Sequence, residues 1–535
     1  MGLRATTGLA ATAAIAAFST DCGLAAGPLA APPAPSDACN VVLICIDTLR
    51  ADRLSCNGYG RRTTPEIDAL AARGLRFARA YGTAPWTLPS TSSLLCGLQP
   101  EVHRATSFLS TLSPDARLLA EALADDGFET AAIVGNYFVT PLFGFARGFS
   151  TFNGDCMADR AAINSDKVSD RAIAWLEQPH PRPFLLYLHY FDPHYNYWEH
   201  DGFKFGGEDT DRVFSGEDIY ELRDHLRELD GEDRARLDSL YDSEVAFTDH
   251  HVGRVLRALD ERKLAEKTFV VVTADHGEAL GEHDWIGHTR QLYDESVRVP
   301  LVIAGPGLAP AVIDGDPVQL DDLFSPLLQL ARGEGAPGSA AWSSGASALD
   351  RGLQPDEALV SVQTAGLDEP GEARPRRFLT HGPWKLFIAR DDSGAEAYRL
   401  FKSDEPKGKR RKRPEDHPAE MKLLLEQRRA DLEQRERELA RNRATLTRRR
   451  ALVKGSWKLI VDEVSGTAEL YDLESDPAER RDLAQEQPER RDELRRRLDE
   501  IVAVLSAAAL RDGAAISSEV ADEERRRIEA LGYGR

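Results

Sequence analysis

The 535-residue chain has few cysteines and no long apolar run, and both absences exclude classes of protein. Its six cysteines include no CxxC pair, which argues against zinc knuckles and thioredoxin-like redox chemistry. Their spacing does not resemble the disulfide framework of a small secreted domain. No segment offers the roughly 18 consecutive apolar residues that a membrane-spanning helix needs. We therefore expect a chain with no transmembrane span, long enough for two or more lobes.

Positive charge is also scarce, because the formal net charge is −21. This acidity argues against general nucleic-acid binding, so no nucleic-acid partner is expected. The exception is segment 402–450, which carries 17 basic and 10 acidic residues. Its leucines recur every seven residues, at Leu425, Leu432, Leu439 and Leu446. The second apolar stripe of a heptad is missing, which favours a charged helical insertion over a coiled coil.

The first 38 residues have the pattern of a leader rather than of a folded element. Arg4 precedes the apolar run TGLAATAAIAAF, and Gly23 and Ala25 provide a small-x-small cleavage site. We predict an export leader over 1–38, giving a periplasmic or extracellular protein, or one anchored by lipid at Cys22. The alternative is a disordered leader without export.

Short apolar runs alternate with helical patterns from residue 39 onward. The predicted strands are 40–47, 129–135, 183–191, 268–274 and 299–305. Predicted helices lie at 63–74 and 233–263. This alternation indicates an α/β fold with a mostly parallel central sheet and helices on both faces.

Polar side chains follow three of these strands where each one ends. Asp47 ends the first, Asp192 to His194 follow the third, and Asp275 to Glu278 follow the fourth. Ligands of such sheets bind beyond the carboxyl ends of the strands. Each group alone could be a helix cap or a turn, but together they predict a functional site.

The C-terminal part contains two similar segments. Residues 378–401 and 451–474 both carry a G-x-W-K-L core followed by an SG turn, a pattern typical of β-hairpins. We predict one small antiparallel sheet built from both. The predicted organisation is the leader, a catalytic domain at 39–375, a C-terminal subdomain at 376–505 with the insertion, and a tail at 506–535.

Several motifs, in order, resemble the sulfatase family of the alkaline-phosphatase superfamily. They include APWTLPSTSS, YLHYFDPHYNY, TADHGEALGEHDWIGH and ELYDLESDPAERRDLA, and the resemblance extends from about Asn40 to Val504. It implies an α/β domain followed by a smaller domain with an antiparallel sheet. It also implies a metal-dependent hydrolase acting on sulfuric or phosphoric esters.

The resemblance assigns roles to individual positions. Asp47, Asp275 and His276 match metal ligands, and Thr87 matches the nucleophile, whose oxygen would also bind the metal. His194 matches a histidine that contacts the ester oxygens. His288 stands where sulfatases commonly carry a lysine near the substrate. Thr48 stands where the family often has a second metal-binding Asp.

The sulfate-specific residues are missing from this sequence. Sulfatases of known mechanism oxidise Cys or Ser in C/S-x-P-x-R to formylglycine, but this chain has Thr87 there, and Thr91 replaces the arginine. A threonine cannot give formylglycine because its β-carbon bears a methyl group. Asn136 replaces a further lysine. Phospho-transferring relatives with an unmodified threonine form phospho-threonine, which water or a second alcohol resolves.

We therefore expect cleavage of a phosphate, phosphodiester or phosphonate ester through Thr87. The alternatives are a sulfatase without formylglycine and a non-catalytic binding protein, and Thr87 alone could be an N-cap. The mixed oxygen and nitrogen ligands suit one divalent ion, Mn²⁺, Zn²⁺ or Ca²⁺. The expected partner is a small-molecule, glycan or lipid-headgroup ester. Histidines 250, 251 and 283 are expected not to bind the metal, and Asp192 to orient the loop of His194.

Overall fold

The computed structural model describes most of the chain between residues 33 and 513. The described residues are 33–108, 110–155, 164–210, 212–216, 219, 222–223, 226–335, 357–363, 378–381, 384–390, 396–402, 411–412, 417–419, 421–426, 448–510 and 512–513. Most of the predicted leader, with Cys22, and three of the four heptad leucines lie outside these residues. Among the described residues, no helix combines the length and apolar character that crossing a bilayer requires.

Twenty-one strands are described, numbered here in chain order. They are β1 (Asn40–Ile46), β2 (Leu75–Phe77), β3 (Ala80–Tyr81), β4 (Glu129–Val134), β5 (Thr151–Asn153), β6 (Phe184–Tyr190), β7 (Thr268–Thr273), β8 (Ala279–Leu280), β9 (Ile286–Gly287), β10 (Arg298–Val299), β11 (Leu301–Ala304), β12 (Ala311–Ile313), β13 (Val318–Gln319), β14 (Glu357–Gln363), β15 (Phe378–His381), β16 (Trp384–Arg390), β17 (Glu396–Lys402), β18 (Arg411–Lys412), β19 (Arg448–Lys454), β20 (Trp457–Asp462) and β21 (Ala468–Asp472).

The described α-helices are numbered in the same way. They are α1 (Pro65–Ala71), α2 (Thr87–Cys96), α3 (Pro100–His103), α4 (Leu119–Asp125), α5 (Ser165–Leu176), α6 (Gly231–Glu261), α7 (Asp294–Val297), α8 (Phe324–Arg332) and α9 (Pro488–Ala507). Short 3₁₀ turns lie at Ala51–Arg53, Ser55–Asn57, Pro141–Phe143, Leu226–Glu228, Ala265–Lys267, Glu282–Asp284 and Leu320–Leu323.

The central sheet has eight strands in the order β12-β2-β11-β7-β1-β6-β4-β5. Neighbouring pairs from β7 to β5 are parallel, and only β11 pairs antiparallel with both of its neighbours. Every residue of β1 is buried, as expected for a strand covered on both faces. Helices α1, α5 and α6 pack together, and α4 packs with α8. The predicted α/β fold with a mostly parallel sheet is confirmed.

The predicted elements of this domain agree with the structure to within a few residues. Helix α6 begins at Gly231 because Asp230 caps it, accepting hydrogen bonds from the backbone N–H groups of Glu232 and Asp233. The predicted strand at 299–305 is divided, because Pro300 separates β10 from β11. Proline lacks the N–H that a sheet ladder needs, so the chain changes sheet at this position.

The prediction that both C-terminal hairpins form one sheet is wrong. Strands β15 to β18 form one four-stranded sheet, whereas β19, β20 and β21 form another with β14. Strand β14 pairs along its whole length with β19. This second sheet therefore takes a strand from before residue 376, the predicted domain boundary. The similar sequences specify similar hairpins, but they do not specify which strand each hairpin pairs with.

A buried ion cluster joins the sheet of β19 to β21 to the catalytic domain. Lys458 on β20 is fully buried, and its Nζ lies 2.9 Å from Oδ1 of Asp294 and 2.9 Å from Oε1 of Glu479. The two carboxylates raise the pKa of Lys458 although its burial acts in the opposite direction. Asp294 begins α7, so this cluster fixes the segment that follows the candidate site.

Candidate functional site

The carboxyl ends of four adjacent parallel strands meet at one edge of the central sheet. Asp47 directly follows β1, and Asp275 lies two residues after β7. His194 follows β6, and Asn136 follows β4. All four side chains are buried. The structure therefore brings together the strand ends on which the sequence prediction rested, and adds Asn136 to them.

Thr87 is the first residue of α2, and its helix begins beside this sheet edge. The N-cap position is occupied by Trp86, and no side chain accepts a capping hydrogen bond there. Pro89 lies in the first turn, where proline is well tolerated. Gly97 ends the helix in the left-handed conformation that glycine often adopts after the last turn of a helix. Thr87 is therefore not an N-cap. Its position places the hydroxyl where backbone N–H groups favour an anion.

The predicted metal ligands form one buried cluster. Nε2 of His276 lies 3.4 Å from Oδ1 of Asp47, 3.6 Å from Oδ2 of Asp275 and 3.5 Å from Oγ1 of Thr87. One ligand atom from each of Asp47, Asp275 and His276 lies within 4.8 Å of the others. All these residues are buried. One cation can be reached by all of them, so the cluster has the arrangement of a candidate metal centre.

The donor atoms fit a divalent cation. His276 Nδ1 lies 2.9 Å from the carbonyl oxygen of Gly277 and donates its hydrogen to it, which leaves the Nε2 lone pair directed at the cluster. Oδ1 of Asp47 is buried and has no hydrogen-bond partner in the described part of the chain. A buried carboxylate oxygen without a partner is costly unless a cation compensates it.

The electrostatics of the cluster also favour a bound cation. Burial raises the pKa of Asp47 well above its usual value, and the negative charge of Asp275 raises it further. Burial acts in the same direction on Asp275, but the neighbouring imidazole of His276 holds the pKa of Asp275 below its usual value. Neighbouring carboxylates disfavour each other's ionised form, and a cation between them would compensate both charges.

Asn136 has a definite role in this geometry although its sequence position suggested only a lost lysine. Its Oδ1 accepts a hydrogen bond from the backbone N–H of Phe138 at 2.7 Å, which directs the amide nitrogen into the cluster. That nitrogen donates to Oδ2 of Asp47 and lies 3.4 Å from Oγ1 of Thr87. Asn136 thus orients a candidate metal ligand and the candidate nucleophile together.

His194 and His288 lie side by side next to the cluster. Their ring centroids are 4.8 Å apart, and the ring of His288 is 4.5 Å from that of His276. Nδ1 of His194 donates to the carbonyl oxygen of Tyr195, and Nδ1 of His288 donates to Oε1 of Glu278 at 3.0 Å. Burial lowers the pKa of His194 to about 3 and that of His288 well below its usual value.

Three residues to which the sequence analysis assigned no contact of their own also lie against these groups. Thr91, seen only as a lost arginine, donates from Oγ1 to Oδ2 of Asp275 at 3.4 Å. His189 is fully buried on β6, with Nε2 3.8 Å from the same oxygen. Glu278 holds His288, as described above. Glu278 lies in the DHGE motif, which was the available signal, whereas His189 lies inside an apolar run and gave none.

The remaining candidate residues lie outside the cluster. His250 and His251 are on α6, where Nδ1 of His251 contacts Arg254. His283 contacts Glu295 and the carbonyl oxygen of Glu479. Asp192 accepts hydrogen bonds from the backbone N–H groups of residues 164 and 165 at 2.6 Å. It ties the loop of His194 to α5, as its predicted positioning role requires. Thr48 is buried in a left-handed conformation.

Comparisons with known proteins agree with this fold. The sulfatase family model matches residues 39–334. The uncharacterized sulfatase YidJ of Escherichia coli K12 is 25% identical over 340 residues, covering 55% of this chain and 67% of its own. A Delta 4,5-hexuronate-2-O-sulfatase of Bacteroides thetaiotaomicron is 26% identical over 313 residues, covering 50% and 62%.

A solved structure shares the fold over a larger part of the chain. The phosphonate monoester hydrolase of Agrobacterium radiobacter superposes with a TM-score of 0.58 and 18% identity, covering 87% of this chain and 96% of that one. The match to the hexuronate sulfatase above spans less than two thirds of that relative. Because the family model covers more than half of the chain, the protein belongs to the sulfatase family, whose members are ester hydrolases.

Proposed function

We propose that the protein is a metal-dependent hydrolase or transferase that cleaves a phosphate, phosphodiester or phosphonate ester through an unmodified Thr87. The observation that carries this proposal is the position of Oγ1 of Thr87. It lies 3.5 Å from Nε2 of His276 and 3.4 Å from Nδ2 of Asn136, at the start of α2. A threonine hydroxyl in this position can attack phosphorus but cannot form the aldehyde of formylglycine.

Asp47, Asp275, His276 and the oxygen of Thr87 would hold the divalent ion, with Mn²⁺, Zn²⁺ and Ca²⁺ as the candidates. Such an ion lowers the pKa of a bound hydroxyl and compensates the charge of ester oxygens. The N-terminus of α2 directs its N–H groups at the same oxygens. Asn136 keeps the Thr87 oxygen oriented.

The proposed reaction has two displacements. Thr87, its proton lost to solvent, forms a bond to phosphorus while the bond from phosphorus to the leaving oxygen breaks. A bound ester anion favours the protonated forms of the neighbouring His194 and His288, and the protonated histidine would give its proton to the leaving oxygen. Water or a second alcohol then attacks the phospho-threonine, loses a proton to that histidine and restores Thr87.

Turnover of matched aryl esters tests the proposal. The monosulfate, monophosphate, phosphodiester and phosphonate of one phenol are assayed with Mn²⁺, Zn²⁺ or Ca²⁺ added in turn. We expect turnover of at least one phosphorus ester, lost in Thr87→Ala and retained in Thr87→Ser, which keeps the hydroxyl. Unchanged turnover in Thr87→Ala would refute the covalent mechanism.

Sulfate-ester hydrolysis without formylglycine is the second candidate function. It is favoured by the curated relatives, which carry sulfatase names at 25% and 26% identity. Sulfate turnover in the same assay would support this function over the first. A binding protein without catalysis is less well supported, since Thr87, Asp275 and His276 are all within reach of one cation.

Export and the substrate class are further parts of the proposal. The hexuronate sulfatase relative acts, by its name, on a sulfated sugar, which supports a glycan ester among the expected small-molecule, glycan or lipid-headgroup substrates. Export to the periplasm or the cell exterior would fit such a substrate. Secretion of the full chain, with cleavage near residue 23, can be checked by N-terminal sequencing.

A further inference from the structure

A buried histidine without a hydrogen-bond partner lies beside the candidate metal centre. His189 is the last residue but one of β6 and is fully buried. Neither of its ring nitrogens has a hydrogen-bond partner in the described part of the chain. Buried polar atoms are rarely left in this state, because a missing hydrogen bond costs free energy. The packing of the strand alone therefore does not explain a histidine at this position.

The register of the central sheet brings His189 close to the metal cluster. It pairs with Cys45 of β1 and with Val134 of β4, near the carboxyl ends of both strands. Its side chain lies on the same face of the sheet as that of Tyr187, two residues earlier in the strand. Nε2 of His189 lies 3.8 Å from Oδ2 of Asp275. The histidine therefore approaches a candidate metal ligand from within the sheet, not from a loop.

The carboxylate of Asp275 is held at one oxygen and can accept a further donor at the other. Oδ1 accepts a hydrogen bond from the backbone N–H of His276 at 3.0 Å. Oδ2 lies 3.6 Å from Nε2 of His276 and accepts a hydrogen bond from Thr91 at 3.4 Å. That bond is long for a hydroxyl donor, and a carboxylate oxygen has two lone pairs. Oδ2 therefore has room for a second donor beside the cation.

The other carboxylate of the cluster already has such a supporting donor. Asn136 donates to Oδ2 of Asp47, while Oδ1 of Asp47 has no hydrogen-bond partner among the described residues. Carboxylates that bind metals are usually hydrogen-bonded by a second set of residues, which orient them and tune their affinity for the ion. Asp275 has only the long bond from Thr91 at Oδ2, and His189 is the side chain that can strengthen this support.

We propose that His189 is a positioning residue of the metal centre, which donates from Nε2 to Oδ2 of Asp275 and keeps this oxygen directed at the cation. The inference rests on the metal-dependent function proposed above. The distance of 3.8 Å has to shorten by about 0.8 Å to become a hydrogen bond, a shift that small rotations of the two side chains supply. Neutral imidazole with its hydrogen on Nε2 is the form required. His189 then acts on the metal through Asp275 and does not touch the ester.

Two amides at position 189 test the inference, because glutamine and asparagine differ in reach. The amide nitrogen of His189→Gln can take the place of Nε2, whereas that of His189→Asn reaches only the place of Nδ1. His189→Leu removes both nitrogens. Chelator-treated protein is titrated calorimetrically with Mn²⁺, Zn²⁺ or Ca²⁺, without any ester. We expect the Kd of the metal to rise about tenfold to hundredfold in His189→Asn and His189→Leu, and to stay close to that of the wild type in His189→Gln.

Tyr187 provides the matched control on the same strand and the same face of the sheet. It is also fully buried, and its hydroxyl likewise has no hydrogen-bond partner in the part of the chain that is described. Tyr187→Phe should leave the Kd of the metal unchanged. Urea unfolding of each metal-free variant separates a loss of metal affinity from a loss of folded protein. If His189→Leu does not fold, the comparison of His189→Gln with His189→Asn still decides the question.

The possible outcomes separate this inference from the proposed reaction. An unchanged Kd in His189→Asn and His189→Leu would overturn the inference. Equal weakening in His189→Gln and His189→Asn would also overturn it, because the residue would then act through packing and not through a donor at Nε2. Absence of phosphorus-ester turnover, with the expected order of metal affinities, would refute only the reaction. A wild type that binds none of the three ions would refute both the metal centre and the role of His189.

Discussion

His103 lies beneath the nucleophile helix and should make the stability of the protein depend on pH. It is fully buried at the end of α3. Nε2 lies 3.1 Å from the carbonyl oxygen of Pro89 and donates to it, and Nδ1 accepts a hydrogen bond from the backbone N–H of Ala105 at 3.1 Å. Both ring nitrogens are engaged in the neutral form, so protonation would break a buried hydrogen bond.

The sign and size of the effect follow from the pKa of His103. Burial lowers this pKa from 6.5 to about 3. Between these two pH values, His103 is protonated in the unfolded chain but stays neutral in the folded chain. The contribution of neutral His103 to the free energy of unfolding is therefore fully present above the pKa of this residue in the unfolded chain. It is lost progressively as the pH falls below that value. At pH near 5 the loss amounts to about 2 kcal/mol.

Urea unfolding of the wild type and of His103→Gln, from about pH 8 to about pH 5, isolates this contribution. The glutamine can still donate to Pro89 but cannot take up a proton, and Ala105 loses its acceptor. We expect the variant to have a lower free energy of unfolding than the wild type near neutral pH. The difference in free energy of unfolding between the two proteins should narrow by about 2 kcal/mol on going to about pH 5. A gap that stays constant with pH would contradict the reasoning.

Two further predictions concern the ion cluster and the metal. Lys458→Met leaves Asp294 and Glu479 buried without their cation and should lower the free energy of unfolding by roughly 3–5 kcal/mol in denaturant titrations. Arg495 forms an exposed ion pair with Asp499, and Arg495→Met should lower the free energy of unfolding by less than about 0.5 kcal/mol. Equal effects of the two substitutions would refute the role of the buried cluster. When one of Mn²⁺, Zn²⁺ or Ca²⁺ is added to chelator-treated protein, the free energy of unfolding should rise. The rise should be about 2.7 kcal/mol when the free metal concentration is about a hundred times the Kd of the site. Asp275→Asn should lose most of this gain, and an equal gain in that variant would place the ion elsewhere.

Residues at strand ends were predictable because the topology of parallel sheets determines where they meet. Asp47, Asp275 and His194 follow apolar runs that indicated buried strands, and the structure places them at one edge. Asn136 carried the same signal at the end of β4. Comparison with the family motif identified it only as a missing lysine, since a motif records the residue type expected at a position and not the contact that a substitute makes.

Other features depend on contacts that no local pattern encodes. His189 lies inside the apolar run of β6, and its approach to Oδ2 of Asp275 depends on the order of the strands in the sheet. An N-cap was the alternative role for Thr87 in the sequence, but the backbone dihedral angles place Trp86 at the N-cap position. The two similar hairpins gave no information about their partners, so their assignment to separate sheets required the tertiary structure.

Detection of the covalent intermediate tests the central claim most directly. Protein mixed with the best phosphorus ester is quenched in acid during turnover, and the peptide containing Thr87 is analysed by mass spectrometry. The account predicts the added mass of one phosphoryl group on Thr87, absent from Thr87→Ala and from protein without ester. Turnover of a phosphorus ester with no modification of Thr87, and with Thr87→Ala equally active, would contradict it.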